Sequence, residues 1–454
     1  MAARDSIAVQ ERQPQPEGSI SNEAPTIRNS TKSPEPPSPP PHQLLKLLSA
    51  AFSFFAAGAN DGSLGSLIPY ILSTYSISLS YISLIYLTTF LGWFLCALAS
   101  PFLSTHLSLP SLLTLGAALQ LASQTLRALP IISFPLFTFT FFLTGLGQAI
   151  QDSFSNTFVA TLNLGGTTGK SHRWLGLIHA MYGLGLLIAP FTATGIANRA
   201  SPSGGDKWER VWLWLTGISI LNIFGVLYAF RDSAWRITTN GERGNDVEDD
   251  GEVEGERGNR GKWKQLLGMK NLYILALFFF FHLGVCSTSG GWVVEFLVRT
   301  RHGDLHKIGY VPSGFYGGLC LSRLILVEPT HRYGERRMLL LYSILSFAMQ
   351  LVFWLVKNLA TTIVMFSLMG FLMGPFFAAG VSVASKLFPP SIQAPALGLI
   401  FLIAQAGAAI FPSLIGLIAA RAGVQVLPPI VAGLIVAMGV TWGFVPRVEG
   451  VHEE

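Results

Sequence analysis

An all-α polytopic membrane protein, with twelve transmembrane helices in two pseudo-symmetric six-helix halves, is the fold this sequence predicts. Three observations predict it: charge is scarce, apolar runs of membrane length recur, and the second half repeats the first. Half of the 454 residues are hydrophobic and 12% are charged, against roughly 25% charged in an average soluble domain. A soluble chain of this length needs far more Lys, Arg, Asp and Glu to cover its surface. The mean hydropathy of +0.48 agrees. What charge there is gathers in the first 47 residues, in 231–270 and in short breaks between apolar runs.

Residues 1–41 hold nine prolines among Ser, Gln and Glu, with few branched or aromatic residues. Such a segment cannot bury enough apolar surface to offset its ordering entropy, and a disordered cytoplasmic tail is expected. A helix crosses a bilayer core with about 20 apolar residues. Twelve such stretches follow: 44–72, 79–104, 111–129, 132–160, 174–198, 211–230, 271–298, 308–327, 338–356, 360–385, 394–420 and 426–446. They divide into an N-terminal half over 44–230 and a C-terminal half over 271–446. Between them 231–270, rich in Gly, Asp, Glu and Arg, reads as a hydrophilic cytoplasmic linker, and 447–454 as a second cytoplasmic tail. With both termini inside, 20 Lys and Arg fall on the cytoplasmic side and nine opposite, with Arg323 inside a helix. This satisfies the positive-inside rule, more through the long linker than through the short loops. The plasma membrane is expected ahead of vacuolar or other endomembranes.

The repeat is visible in the letters. Leu175-Gly176-Leu177-Ile178 returns as Leu397-Gly398-Leu399-Ile400, and at the same offset of 222 Gly185 meets Gly407, Pro190 meets Pro412 and Arg199 meets Arg421. Ten of 25 positions are identical. At an offset of 226, Phe54-Phe55, Gly58, Ser63 and Gly65 meet Phe280-Phe281, Gly284, Ser289 and Gly291. Parallel repetition of a six-helix unit implies a pseudo-two-fold axis along the membrane normal and a cavity between the halves. Gly183, Gly185 and Gly407, ahead of Pro190 and Pro412, suit close helix approach and local bending.

A charge inside an apolar helix costs roughly 2.5–3.5 kcal/mol on insertion scales, so each needs a reason. Asp61, Asp152, Glu295 and Arg323 are the four such cases. A carboxylate that meets water in one conformation and is buried in another couples proton affinity to conformation. Asp61 and Asp152 are the proton-coupling candidates, the alternative being hydrogen-bonded or ion-paired helix contacts, with Arg323 for example. Glu295 and Arg323 fit structural, gating or solute-contact roles equally. Gln120 and Gln124 share a helix face, as do Asp152 and Asn156, and His179 and Tyr182. With Asn60, Gln148 and Gln405 these polar groups fit the wall of a water-filled cavity, and Trp93 and Trp292 can stack on a sugar or other planar face. Interhelical packing is the alternative for each of them.

Several functions are set aside. Cys96, Cys286 and Cys320, all in apolar runs, exclude a disulfide-rich secreted domain and a Cys-based zinc site. The pI near 9.1 comes from basic residues at the edges of hydrophobic segments, which points to lipid headgroups and topology rather than nucleic acid. Leu164-Gly165-Gly166-Thr167-Thr168-Gly169-Lys170-Ser171 imitates a phosphate loop, but its first Gly is Leu164 and it joins two membrane helices. His302 and His306 flank Gly303-Asp304-Leu305 in a short polar break, which reads as a solvated turn rather than a metal site. No nucleophile–base pair marks an enzyme, and no cofactor or metal is expected.

The segments Asn60-Asp61-Gly62-Ser63-Leu64-Gly65-Ser66-Leu67-Ile68-Pro69-Tyr70, Leu175 through Pro190, Gly309 through Gly318, and Gly334-Glu335-Arg336-Arg337 resemble the major facilitator superfamily. Within it they look like the fucose permease-like group of fucose–proton symporters, in its fungal branch. The resemblance implies alternating access by rocking of two halves. It also implies that an acid in the first helix handles substrate and proton, and that a second acid in the fourth helix, four residues before an Asn, carries the proton; Asp61 and Asp152 with Asn156 match. The sequence departs from the superfamily in Ser100 through His106, where the basic loop after the second helix is almost lost, and from related fungal sequences in Glu295, which lies deeper along the seventh helix than their usual acid near Cys286. The expectation is a proton-coupled secondary transporter of a small organic solute, sugar-like first. Efflux of a small metabolite or drug, and a non-transporting receptor or scaffold, are the alternatives. The expected partners are that solute, protons and the lipid bilayer.

Overall fold

Long apolar runs punctuated by Pro, Gly and Ser fold here as helices, because backbone amides inside a bilayer must bond within their own segment. The structure, a computed structural model, describes residues 41–130, 132–162, 171–199, 208–233 and 264–446. The expected disordered tail, the phosphate-loop imitation except Ser171, and most of the linker lie outside the described residues. The first half contains α1 (Pro41–Tyr75), α2 (Leu79–His106), α3 (Leu109–Ala128), α4 (Phe134–Thr161), α5 (Ser171–Ala197) and α6 (Arg210–Ala229). The second contains α7 (Lys270–Arg301), α8 (Leu305–Ile308), α9 (Val311–Ile325), α10 (Val327–Tyr333), α11 (Glu335–Leu355) and α12 (Leu359–Met373). It ends with α13 (Pro375–Leu387), α14 (Pro390–Ala422) and α15 (Leu427–Gly443).

Among the described residues eight helical segments are long and apolar enough to cross a membrane by themselves, and up to nine if 305–325 and 327–333 form one span. Twelve were expected. The shortfall is α1, α3 and α4, and its cause is chemical: they carry Asn60, Gln120, Gln124, Arg127, Gln148 and Gln151, all buried inside the helix bundle. Two expected helices are broken. The eighth bends by 53° between Ile325 and Val327, which places Arg323 in the last turn of α9 rather than midway along a helix. The tenth breaks at Gly374-Pro375, where proline removes a backbone donor.

The pairing of helices repeats. In the first half α1 packs on α5 and α6, α4 on α2 and α3, and α3 on α6; in the second α7 packs on α14 and α15, α12 on α9 and α11, and α11 on α15. The halves meet where α2 touches α14, α5 touches α9 and α1 touches α7. The Gly334–Arg337 segment ties helix ends together: Glu335 accepts from Ser382 Oγ at 2.6 Å and Lys386 Nζ at 3.1 Å, and Arg336 donates to the Gly443 carbonyl at 2.7 Å.

Candidate functional site

A cavity of about 250 Å³ lies between the halves, walled by α1, α2, α3, α4 and α5 on one side and α7, α9, α13 and α14 on the other. Of the sequence-predicted residues, Asn60, Asp61, Gln120, Gln148, Asp152, Asn156, His179, Tyr182, Arg323 and Gln405 line it, with Trp93.

Asp61 is the most heavily bonded of these. Its Oδ1 accepts from Asn60 Nδ2 at 2.9 Å and Gln148 Nε2 at 3.0 Å, and its Oδ2 accepts from the Tyr182 hydroxyl at 2.9 Å. Three helices therefore hold one carboxylate. Gln124 sits one layer back, off the cavity wall, and donates to Asn60 Oδ1 at 2.8 Å. Asp152 has a single side-chain donor, Asn156 Nδ2 at 3.3 Å. Among the described residues neither carboxylate forms an ion pair.

Behind Asn60, near the end of the third apolar stretch, stands a charge that is not among the four singled out from the sequence. Arg127 is 2% exposed, and its guanidinium donates to Asn60 Oδ1 at 3.1 Å, Thr140 Oγ1 at 2.6 Å and Thr144 Oγ1 at 2.5 Å. It also lies 3.6 Å from the Phe141 ring centroid and 5.0 Å from that of Trp212. The signal was present: Gln120, Gln124 and Arg127 are spaced four and three apart, one continuous helix face. A second buried network runs beside the first. Gln151 Oε1 accepts from Gln120 at 2.7 Å and Asn222 at 3.0 Å, and Asn222 accepts from Ser53 at 2.8 Å.

Two further expected wall residues, besides Gln124, lie elsewhere. Trp292 is fully buried in packing, its indole N–H donating to the Pro412 carbonyl at 3.0 Å. Glu295 is 2% exposed and ion-paired with Arg299 one turn on, away from the cavity. Trp292 turns toward Pro412 on α14, whereas Glu295, one turn past the wall residue Gly291 on the same helix face, lies beyond the cavity along the helix axis, which spacing alone could not show.

The second-half wall holds groups that sequence reasoning did not select: His282, Ser287 and Tyr316, facing Tyr86 from α2. Tyr86 and Tyr316 reach α7 at Gly291 and Gly290, where an added Cβ would come within 2.1 Å of each hydroxyl. His282 is 2% exposed and stacked 5.6 Å from Phe376, and its Nδ1 has no hydrogen-bond partner among the described residues. Arg323 donates through Nη1 to the His179 carbonyl at 3.3 Å, and its buried Nε is also without a partner among them. An aromatic row crosses between the halves: Phe54 to His179 at 5.1 Å, His179 to Phe377 at 5.4 Å, and Phe377 to Phe401 at 5.5 Å.

The family model described as Major Facilitator Superfamily matches residues 50–295 and again 280–454, which together span the helices around this cavity. The chain belongs to the major facilitator superfamily. It is an integral multi-pass membrane protein of that superfamily. Among curated proteins it is similar to Bypass of stop codon protein 6 of Saccharomyces cerevisiae, 24% identical over 429 residues that cover 90% of this chain and 84% of the relative. Its fold is similar to that of a D-xylose-proton symporter, with a TM-score of 0.68 and 13% identity over 89% of this chain and 97% of the other. The nucleoside transporter NupG gives 0.65 and 14%, covering 89% and 100%. FucP in its outward conformation gives 0.59 and 16%, covering 89% and 99%. At these identities the likeness to solved superfamily structures is one of fold.

Proposed function

We propose that this superfamily member is a secondary active transporter that moves a small polar organic solute, sugar-like first, by alternating access with protons as the coupling ion. The observation that carries the reading is the pairing of Asp61 and Asp152 on the wall of one half with a cavity completed by the other half. A carboxylate without a cation beside it becomes neutral only by taking a proton. Occluding it unneutralised in a low-dielectric interior is costly, so closure is biased toward the protonated carrier. Asp61 is held by three donors and fits an orienting role toward the solute. Asp152, with one long bond to Asn156, has a carboxylate oxygen left for the proton. The halves are 44–230 and 271–446, with 231–270 between them and both termini cytoplasmic, in the plasma membrane.

In proteoliposomes under an imposed pH gradient, Asp152→Asn is expected to abolish uphill accumulation while solute exchange continues. Unchanged accumulation by the variant would remove Asp152 from the coupling step. Absence of any solute movement by the wild type across a broad panel would favour a receptor or scaffold.

A further inference from the structure

The cavity wall is divided by charge. Both carboxylates, Asp61 and Asp152, stand on the first half, while the second half contributes the one guanidinium, Arg323, and no acid. A guanidinium in a membrane interior is normally matched by a carboxylate or by several backbone acceptors. Arg323 has one such bond, to the His179 carbonyl at 3.3 Å, no ion pair and a buried Nε without a partner among the described residues. On the same wall, one helix away, His282 is 2% exposed with its Nδ1 also unpartnered. Most other buried donors around the site are spoken for: the amides of Asn60, Gln120, Gln124, Gln148 and Gln151 and the Tyr182 hydroxyl all have protein acceptors, while the Tyr86 hydroxyl on the first-half wall has none among the described residues. Among these residues the one cationic donor left for a solute stands on the second half, with Tyr86 as a neutral donor facing it.

We propose that Arg323, with His282 beside it, forms a carboxylate-binding subsite, and that the transported solute is a small monocarboxylic acid, a sugar acid or hydroxy acid being the nearest form. The proposal rests on the transporter reading and narrows its solute class. A planar guanidinium fork matches a carboxylate with two N–H donors, Nε and Nη. One cation without a second beside it balances one negative charge, which favours a carboxylate over a dianionic phosphate ester. The cavity of about 250 Å³ falls below the roughly 300–1,000 Å³ of drug-sized pockets, so the solute is small. Charge balance fits the coupling as well: the carboxylate neutralises Arg323 while the proton neutralises Asp152.

The test holds the carbon skeleton fixed and varies the charge. Melting midpoints of the purified protein in detergent, at constant pH and without a pH gradient, are compared for gluconate against glucose and lactate against lactamide, with glucose 6-phosphate and sodium chloride at matched ionic strength. At least one carboxylate is expected to raise the midpoint where its neutral partner and chloride do not. Arg323→Gln is expected to weaken that carboxylate by roughly tenfold or more, and Arg323→Lys to recover part of the loss. Equal stabilisation by the neutral partners, response to the phosphate ester alone, no response to either carboxylate, or an unchanged carboxylate response in Arg323→Gln would each overturn the proposal. The wild-type contrast stands even where a variant fails to fold. Equilibrium binding is also read apart from pH-driven uptake, so loss of either result leaves the other in place.

Discussion

At the residue scale the site is decided by who holds whom. Arg127 never reaches the cavity, yet through Asn60 it fixes the amide that bonds Asp61, and its fork bridges α1 and α4. Removing a buried charged donor leaves its neutral acceptors unsatisfied, at a cost of about 1–3 kcal/mol for each group left without a partner. Arg127→Gln is therefore expected to lower the melting temperature of the detergent-solubilised protein sharply. Arg127→Lys should rescue little, because a point charge cannot serve Asn60, Thr140 and Thr144 together. A melting curve within error of wild type for Arg127→Gln would show that the network carries no stability. The sequence disclosed the polar residues of this site one by one, since each breaks an apolar run. It did not disclose which faced solvent: Trp292 and Glu295 share a helix with His282 and look no less suited, but they turn toward protein.

Helix packing explains why the repeated letters recur at the element scale. Gly185 and Gly407, equivalent at the offset of 222, are both jammed: an added Cβ would lie 2.3 Å from the Phe55 carbonyl oxygen and 2.0 Å from that of Phe280. These are the α1–α5 and α7–α14 crossings, where backbones touch. Gly176 and Gly398, equivalent at the same offset, have nothing within 4 Å of an added Cβ. Identity in the repeat thus has two causes, and only one is steric. Gly185→Ala and Gly407→Ala should each reduce the yield of folded protein and its melting temperature. Gly176→Ala and Gly398→Ala should be neutral or stabilising by about 0.5–1 kcal/mol, the helix gain over glycine. Size-exclusion profiles with melting curves on all four variants check this, and equal tolerance at all four would refute the packing account.

For the whole molecule, the contacts between halves are unevenly distributed. Ser66 donates to the Gly309 carbonyl at 2.8 Å, Ser313 to that of Leu187 at 3.0 Å, and Asn198 to that of His306 at 2.7 Å. Ser83 and Ser413 exchange hydroxyl-to-carbonyl bonds at 2.7 and 3.1 Å. All of these sit toward one end of the bundle. Toward the other end, among the described residues, the halves meet through the aromatic row and the bond from Arg323 to the His179 carbonyl. The stitched end is closed in this conformation, and each neutral bond there contributes about 1 kcal/mol. Combining Ser66→Ala with Asn198→Ala should shift the population toward opening at that end by roughly thirtyfold. The expected readout, in a Cys96→Ser and Cys320→Ser background, is faster labelling of cavity residue Cys286 by a membrane-impermeant maleimide applied from the stitched side. An unchanged rate would mean these bonds do not hold the gate.

Scarce charge, apolar runs of bilayer length and the internal repeat determined the fold class, because a membrane demands those features of any chain that crosses it. They also marked Asp61, Asp152 and Arg323 as residues needing a reason to be there. Only the tertiary structure decided that α1, α3 and α4 bury their polar faces, that Arg127 supports Asp61 from behind, and that Arg323 and His282 share a wall without an acid. Side-chain partners come from different helices far apart in the chain, and periodicity along one helix assigns a face without saying what that face meets.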